Sequence, residues 1–308
     1  MTLQEYKEEY RKVLIMKRLS INTVNTYISC MDVYLRWCET KDIFPPEITK
    51  PKLREFLSNP NWSASYLKQQ RGTIDNFYRY VLGINYIMAD MPYPKVSKRL
   101  PEYLSPEEVE ALFNAVSNRK QRLILKLQYA CALRVHEVVK VKWADFEKTF
   151  SGYNLRVFGK GKLDLIPVPD ETVNEVVAVL GDNFKSSGYL FPGQTGSHYD
   201  EQSVRAFFNR AKAHCIIYKE GSTHLLRHSR ATHLIQSGVS TRHVQILLRH
   251  NSSKTTEVYT HLSKDDLREA FKKADSYILQ KLSKEPKTLP NNKYIRPIYG
   301  EKSINSLT

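Results

Sequence analysis

The chain has 308 residues, 41% of them hydrophobic and 26% charged, a balance that suits two globular domains of roughly 150 residues each and excludes disordered, collagenous and membrane-spanning classes. No run approaches the ~18 apolar residues of a membrane helix, and the amino terminus, MTLQEYKEEYRK, is charged where a signal peptide is apolar. Lys and Arg number 47 against 32 Asp and Glu, a net charge of +15, which points to a polyanionic partner.

Cys30, Cys38, Cys131 and Cys215 show no CxxC spacing, so the sequence predicts reduced thiols in a cytoplasmic protein, with neither a disulfide frame nor a zinc knuckle. The positive charge is local. From Gly221 to Thr256 there is no carboxylate, while Arg227, Arg230, Arg242, Arg249 and Lys254 fall there with five of the nine histidines. Charge alone favours the plainer reading, a basic surface that keeps the protein soluble, so the motifs decide.

In chain order, Leu3, Tyr6, Tyr10, Val13 and Leu14 mark a first helix. Val24, Tyr27, Ile28, Met31, Tyr34, Leu35 and Cys38 recur in steps of three and four as the stripe of a second helix behind the N-cap Ser20. A short helix follows Thr49 with Pro51 in its first turn, and Ser63 opens a fourth through Leu67, Ile74, Phe77 and Val81. These four make a small helical domain over residues 1–87 whose aromatics lie mostly on core stripes. Residues 88–104, with Pro92, Pro94 and Pro101 beside Lys95, Lys98 and Arg99, read as an extended basic linker.

Ser105 and Glu108 form a capping box, and a longer apolar helix is expected through LILKLQYACALRVHEVVKV. The period then changes to alternation at Tyr153, Leu155, Val157, Leu163 and Leu165 around Gly159-Lys160-Gly161, a hairpin with lysines at its tip. Thr223 begins a helix ending near Gly238, and Ser240 caps the next. Ser263 with Asp266 caps a last one through Leu267, Phe271, Ala274, Ile278 and Leu282. The fold class is therefore mainly α with a small β-hairpin or sheet: a helical domain, then an α+β domain over 105–283, then a polar tail at 284–308.

Taken singly, the chemistry-bearing residues are ambiguous. Arg134 ends an apolar run, where a charge needs a partner or a task, and Glu137 is placed to pair with it; a structural ion pair explains both. His224 and Arg227, three apart, share one helix face near a helix start, a place suited to phosphate, or equally a solvated basic face. His224 and His228 have zinc-ligand spacing, but no carboxylate accompanies them. Tyr259 is one of 19 tyrosines, and Lys160 and Lys162 resemble ordinary hairpin lysines.

Their order is informative. Arg134 in CALRVHEVVKVKW, Lys160 in the GKGK turn, and the run THLLRHSRATHLIQSGVSTRHVQILLRHNSSKTTEVYTHLS together resemble the active-site segments of the tyrosine recombinase family, the phage integrase and Xer-like proteins. Ser20, Thr23 and Tyr27 in the first domain are similar to the start of that family's SAM-like core-binding domain, so the resemblance spans residues 1–283.

The resemblance implies a site-specific recombinase that cleaves and rejoins double-stranded DNA through a 3′-phosphotyrosyl intermediate. It implies no metal, ATP or other cofactor, a dimer on each site and a tetramer in synapsis, and a nucleoid-associated cytoplasmic location. Its implied catalytic set is Arg134, Lys160, His224, Arg227, His250 and Tyr259, with Glu137 supporting them and Lys95, Lys98, Arg99, Lys162, Arg230 and Arg242 on DNA. Arg134, Arg227 and His250 would stabilise a phosphorane-like state. Tyr259 would be the nucleophile, His224 its general base, and Lys160, with Lys162 as the alternative, the acid for the leaving 5′-oxygen. The tail would dock on a neighbouring protomer.

The sequence also departs from the family. Ala132 and Arg249 stand where glycines are usual, the hairpin is shorter than the common Gly-Lys-Gly-x-Lys form, and Arg230 replaces a commonly aromatic residue. A non-catalytic helix-turn-helix protein over residues 223–249 and a type IB-like topoisomerase are the competing classes. The complete six-residue set argues against the first; the small helical domain and the tail argue against the second.

Overall fold

Thr2 and Ser20 accept hydrogen bonds from Glu5 N and Thr23 N and so begin α1 (Leu3–Met16) and α2 (Ile21–Thr40). A 3₁₀ turn, Pro45–Glu47, leads to α3 (Lys50–Leu57), and Ser63 caps α4 (Ala64–Tyr80). These elements belong to one of two compact units, Met1–Arg99 and Leu100–Thr308. Tyr10, Met31, Tyr34, Cys38, Leu53, Ile74, Phe77 and Tyr78 are fully buried in the first unit. Its buried phenols have partners: Tyr34 and Tyr78 hydroxyls lie 2.5 Å apart, Tyr78 donates to Pro45 O at 2.6 Å, and Tyr10 donates to Thr73 O at 3.1 Å.

The computed structural model describes residues 1–89, 91–95, 102–159, 162–181, 188–194, 196–249, 268–276 and 278. Among the described residues no helix is long and apolar enough to cross a membrane. Cys30, Cys38 and Cys131 are buried free thiols, and Cys215 is half-buried.

In the second unit the Ser105–Glu108 capping box opens α5 (Pro106–Ala115). The single long helix expected from the apolar run is broken. It forms α6 (Arg119–Ala130) and a separate turn, α7 (Val135–Val138), because Ala132 takes a left-handed conformation with φ 47° while Leu133 N returns to Gln128 O at 2.9 Å. The apolar pattern carries across the break because both pieces pack in one core.

The hairpin is present as part of a three-stranded antiparallel sheet, β1 (Phe146–Thr149), β2 (Gly152–Gly159) and β3 (Lys162–Val168), in that order. Leu155 and Val157 face the core as expected. On β3 the buried residues are Ile166, Pro167 and Val168, whereas Leu163 pairs with Phe158 and both are exposed. Two helices that the sequence reading did not place, α8 (Asp170–Leu180) and α9 (Glu201–His214), follow. Then come α10 (His224–Gln236), α11 (Thr241–Leu248) behind its Ser240 cap, and helical residues 268–276.

The helix α10 is buried on nearly every side, including Arg227, Ser229, Arg230 and His233. Several of its buried polar groups are bonded within the protein. Ser229 Oγ accepts from Leu104 N at 2.8 Å, and His233 Nε2 lies 2.8 Å from Leu104 O, which pins the entry to the second unit against α10.

Candidate active site

The break after α6 places Arg134 at the N-cap of α7, not within a helix. Glu137 reaches back in a capping box: its Oε2 accepts from Arg134 N at 2.7 Å and its Oε1 from Arg134 Nη1 at 2.9 Å. The expected pairing is therefore present with a different local cause. Arg134 keeps about a quarter of its side chain exposed, whereas Glu137 is buried.

A second break has the same form. Helix α11 ends at Arg249, left-handed with φ 49°. The two positions that depart from the family's glycines, Ala132 and Arg249, are thus both left-handed, a conformation that disfavours any side chain by about 1–2 kcal/mol. Arg227 joins them. Its Nη1 donates to Ala132 O at 2.7 Å and its Nη2 to Leu248 O. Two of its five N–H donors are so committed, and the remainder stay available to an anion.

The Arg249 side chain supplies what glycine could not. Its Nη2 bonds Glu137 Oε2 at 2.6 Å, with both side chains almost wholly buried. One carboxylate thus bridges Arg134 and Arg249. Burial by itself would raise the Glu137 carboxyl, but Arg249 and then the backbone and guanidinium of Arg134 hold it below the usual carboxylate range. Arg227 is pushed below the ordinary arginine value by burial and then by its neighbours Arg134 and Arg249. Three guanidiniums facing one carboxylate leave a corner short of negative charge, an arrangement suited to a phosphate.

His224 and His228 stand one turn apart on the exposed side of α10, with ring centroids 6.4 Å apart. Partial withdrawal from water, then Arg227, His228, Arg134 and His136 push His224 below its ordinary value. Its neutral ring can accept a proton at neutral pH. The end of β2 next to the hairpin turn lies at the same corner: a Cβ on Gly159 would sit 3.6 Å from Glu137 Oε1.

Of the sequence-derived set, Arg134, Glu137, His224 and Arg227 converge in this corner. Lys160, His250 and Tyr259, with Lys98 and Arg99, lie outside the described residues, as does the Lys162 side chain. The immediate chain neighbours of two of them, Gly159 and Arg249, are at the cluster. Lys95 and Arg242 are exposed. Arg230, expected on DNA, is instead buried and ion-paired with Asp275; its guanidinium faces the interior, which corrects that expectation. Arg249 is the cluster member that the sequence reading passed over; its place before His250 showed only as a departure from glycine.

The Phage integrase family profile matches residues 102–266, and the phage integrase N-terminal SAM-like domain matches residues 7–88. The chain is 32% identical to tyrosine recombinase XerD of Pseudomonas putida over 82% of this chain and 91% of that protein. It is 29% identical to a tyrosine recombinase of Pseudothermotoga lettingae over 84% and 93%. In fold it is similar to a lambda integrase dimer bound to a COC′ core site, with a TM-score of 0.68, 22% identity, and 85% and 99% of the two chains covered. It is also similar to the XerH site-specific recombinase bound to difH, with a TM-score of 0.62, 23% identity, and 80% and 78% covered. The left-handed turns, the arginines gathered at them and these matches lead to one conclusion: the chain belongs to the phage integrase family and is a tyrosine-type site-specific DNA recombinase.

Proposed function

We propose that the chain cleaves and rejoins double-stranded DNA at specific sites by transesterification through Tyr259. The observation that carries this reading is the convergence of Arg134 and Arg227, from distant segments, with His224 beside them and the carboxylate of Glu137 between Arg134 and Arg249. A scissile phosphate at this corner receives N–H donors from Arg134 and Arg227, joined by His250, on oxygens that gain charge as the phosphorus becomes five-coordinate. The Tyr259 phenol gives its proton to His224, its oxygen bonds to phosphorus, and the bond to the 5′-oxygen breaks as Lys160 protonates that oxygen. The 3′-phosphotyrosyl bond retains the energy of the phosphodiester. A 5′-hydroxyl from another strand then reverses the step and frees the tyrosine.

Duplex DNA is the substrate, bound with Lys95, Lys98, Arg99, Lys162 and Arg242 on its phosphates. A dimer occupies each site and a tetramer forms in synapsis, with residues 284–308 docking on a neighbouring protomer. Lambda integrase bound as a dimer at a core site and as a tetramer on a Holliday junction supports this reading. A two-site plasmid assay tests it. Exchanged products between sites are expected; relaxed topoisomers without exchange would favour a topoisomerase, and retardation without either product a binding protein.

A further inference from the structure

Arg230 lies one turn beyond Arg227 on α10 and is 1% exposed, yet it bears a charge in a core of apolar side chains. Its Nη1 and Nη2 bond the two oxygens of Asp275, the second at 3.2 Å. Its guanidinium also lies 5.5 Å from the Tyr129 ring centroid and 5.9 Å from that of Phe271. A buried ion pair is a poor stabiliser, since apolar residues of similar volume usually serve as well. What the forked, bidentate geometry adds is register.

Asp275 belongs to the helical residues 268–276, which follow Tyr259 by nine residues. Seven residues before Asp275, two helical turns away on the same face, Arg268 is also buried. It donates to Tyr153 O at 2.7 Å, Asn154 Oδ1 at 2.9 Å and Val168 O at 3.4 Å. Gly152, with φ 136°, admits it: a Cβ there would lie 2.5 Å from Arg268 Nη1. This helical stretch is thus fixed at one end to the sheet that bears the hairpin and at the other to the helix that bears His224 and Arg227.

We propose that the Arg230–Asp275 pair is a positioning clasp that sets the segment ending at residue 276, and with it Tyr259, in register with Arg227. The inference rests on the proposed role of Tyr259. It also accounts for an arginine at a position where an aromatic residue is common: the bidentate pair fixes rotation as well as distance, which an apolar contact does not.

The test compares wild type with the double variant Arg230→Met/Asp275→Leu, which removes both charges from the core, and with Asp275→Asn and Arg230→Lys. Amide exchange of the DNA-free protein reads the clasp without chemistry. Trapping on a nicked suicide duplex at saturating DNA reads the rate of adduct formation. The clasp predicts faster exchange across residues 250–276 with α10 unchanged, DNA affinity within about threefold of wild type, and adduct formation slower by about 10- to 100-fold, as expected for a misplacement near 1 Å. Arg230→Lys, which keeps the charge and loses the fork, should fall between. If the double variant does not fold, Asp275→Asn carries the same expectation. Exchange across 250–276 equal to wild type, or an unchanged rate in a folded variant, would overturn the clasp. Absence of an adduct in wild type would instead overturn the role of Tyr259, with the exchange data still deciding the clasp.

Discussion

Glu137 is the residue on which the corner depends, because its two oxygens meet two guanidiniums and a backbone N–H while its side chain is buried. Glu137→Gln should destabilise the protein at pH 7 by about 3 kcal/mol, as breaking a buried pair does. The sign of the pH effect follows from the depressed carboxyl. Stability from this ionisation is present above the unfolded value of about 4.3 and lost as the pH falls through the lower folded value. Urea titrations should therefore show the gap between wild type and Glu137→Gln shrinking below about pH 4; a gap constant down to pH 3 would contradict it. Arg227→Lys should lower cleavage at saturating DNA by about 10²- to 10³-fold, since a single ammonium cannot hold Ala132 O and Leu248 O and still reach phosphate. A loss confined to affinity would show that Arg227 only binds. The Arg134–Glu137 pair was legible in the sequence because its partners are three residues apart. Arg249 was not, because the carboxylate it meets lies 112 residues away and no local pattern encodes that contact.

At the scale of elements, α10 is the organising helix, and His233 shows how it is held. Since Leu104 O can only accept, His233 Nε2 donates to it, and Nδ1 then accepts from the Tyr129 hydroxyl 2.7 Å away. Burial, opposed by the bond to Leu104 and reinforced by Arg230, pushes this imidazole down to about 4. The unfolded ring titrates near 6.5, so the stability that the neutral ring contributes is complete above about pH 6.5 and declines as pH falls toward 4. His233→Leu should lower stability by about 1–3 kcal/mol at pH 7.5, through the unsatisfied Leu104 carbonyl and Tyr129 hydroxyl, and by less at pH 4.5. Thermal unfolding at the two values checks it; an equal or larger difference at pH 4.5 would contradict it. Helix starts were readable where a Ser side chain caps, at Ser20, Ser63, Ser105 and Ser240. The break at Ala132 was not, because alanine carries no turn signal and the apolar pattern continues across it. The phase of β3 was misread at Leu163 for a related reason: hydrophobicity alone does not say which face a strand residue occupies once both faces carry apolar groups. The helix α9 did carry a readable stripe, Val204, Phe207, Phe208 and Ala211.

For the whole molecule, the charge asymmetry along the chain is the feature that concerns DNA. Binding should weaken steeply with salt, log K falling about 0.9 per phosphate neutralised for each decade of salt. Replacing Lys95, Lys98 and Arg99 together by glutamine should flatten the slope by about 0.9 for each phosphate contact removed; an unchanged slope would show that this stretch does not meet the backbone. The claim on which the rest depends is that Tyr259 is the nucleophile at the corner formed by Arg134, Arg227 and Glu137. The most direct measurement is denaturing electrophoresis of a nicked suicide duplex after incubation with wild type and with Tyr259→Phe, both at saturating protein. Wild type should yield a protein-linked strand, and Tyr259→Phe should bind the same duplex with equal affinity yet yield none; equal trapping of the two proteins would contradict the account.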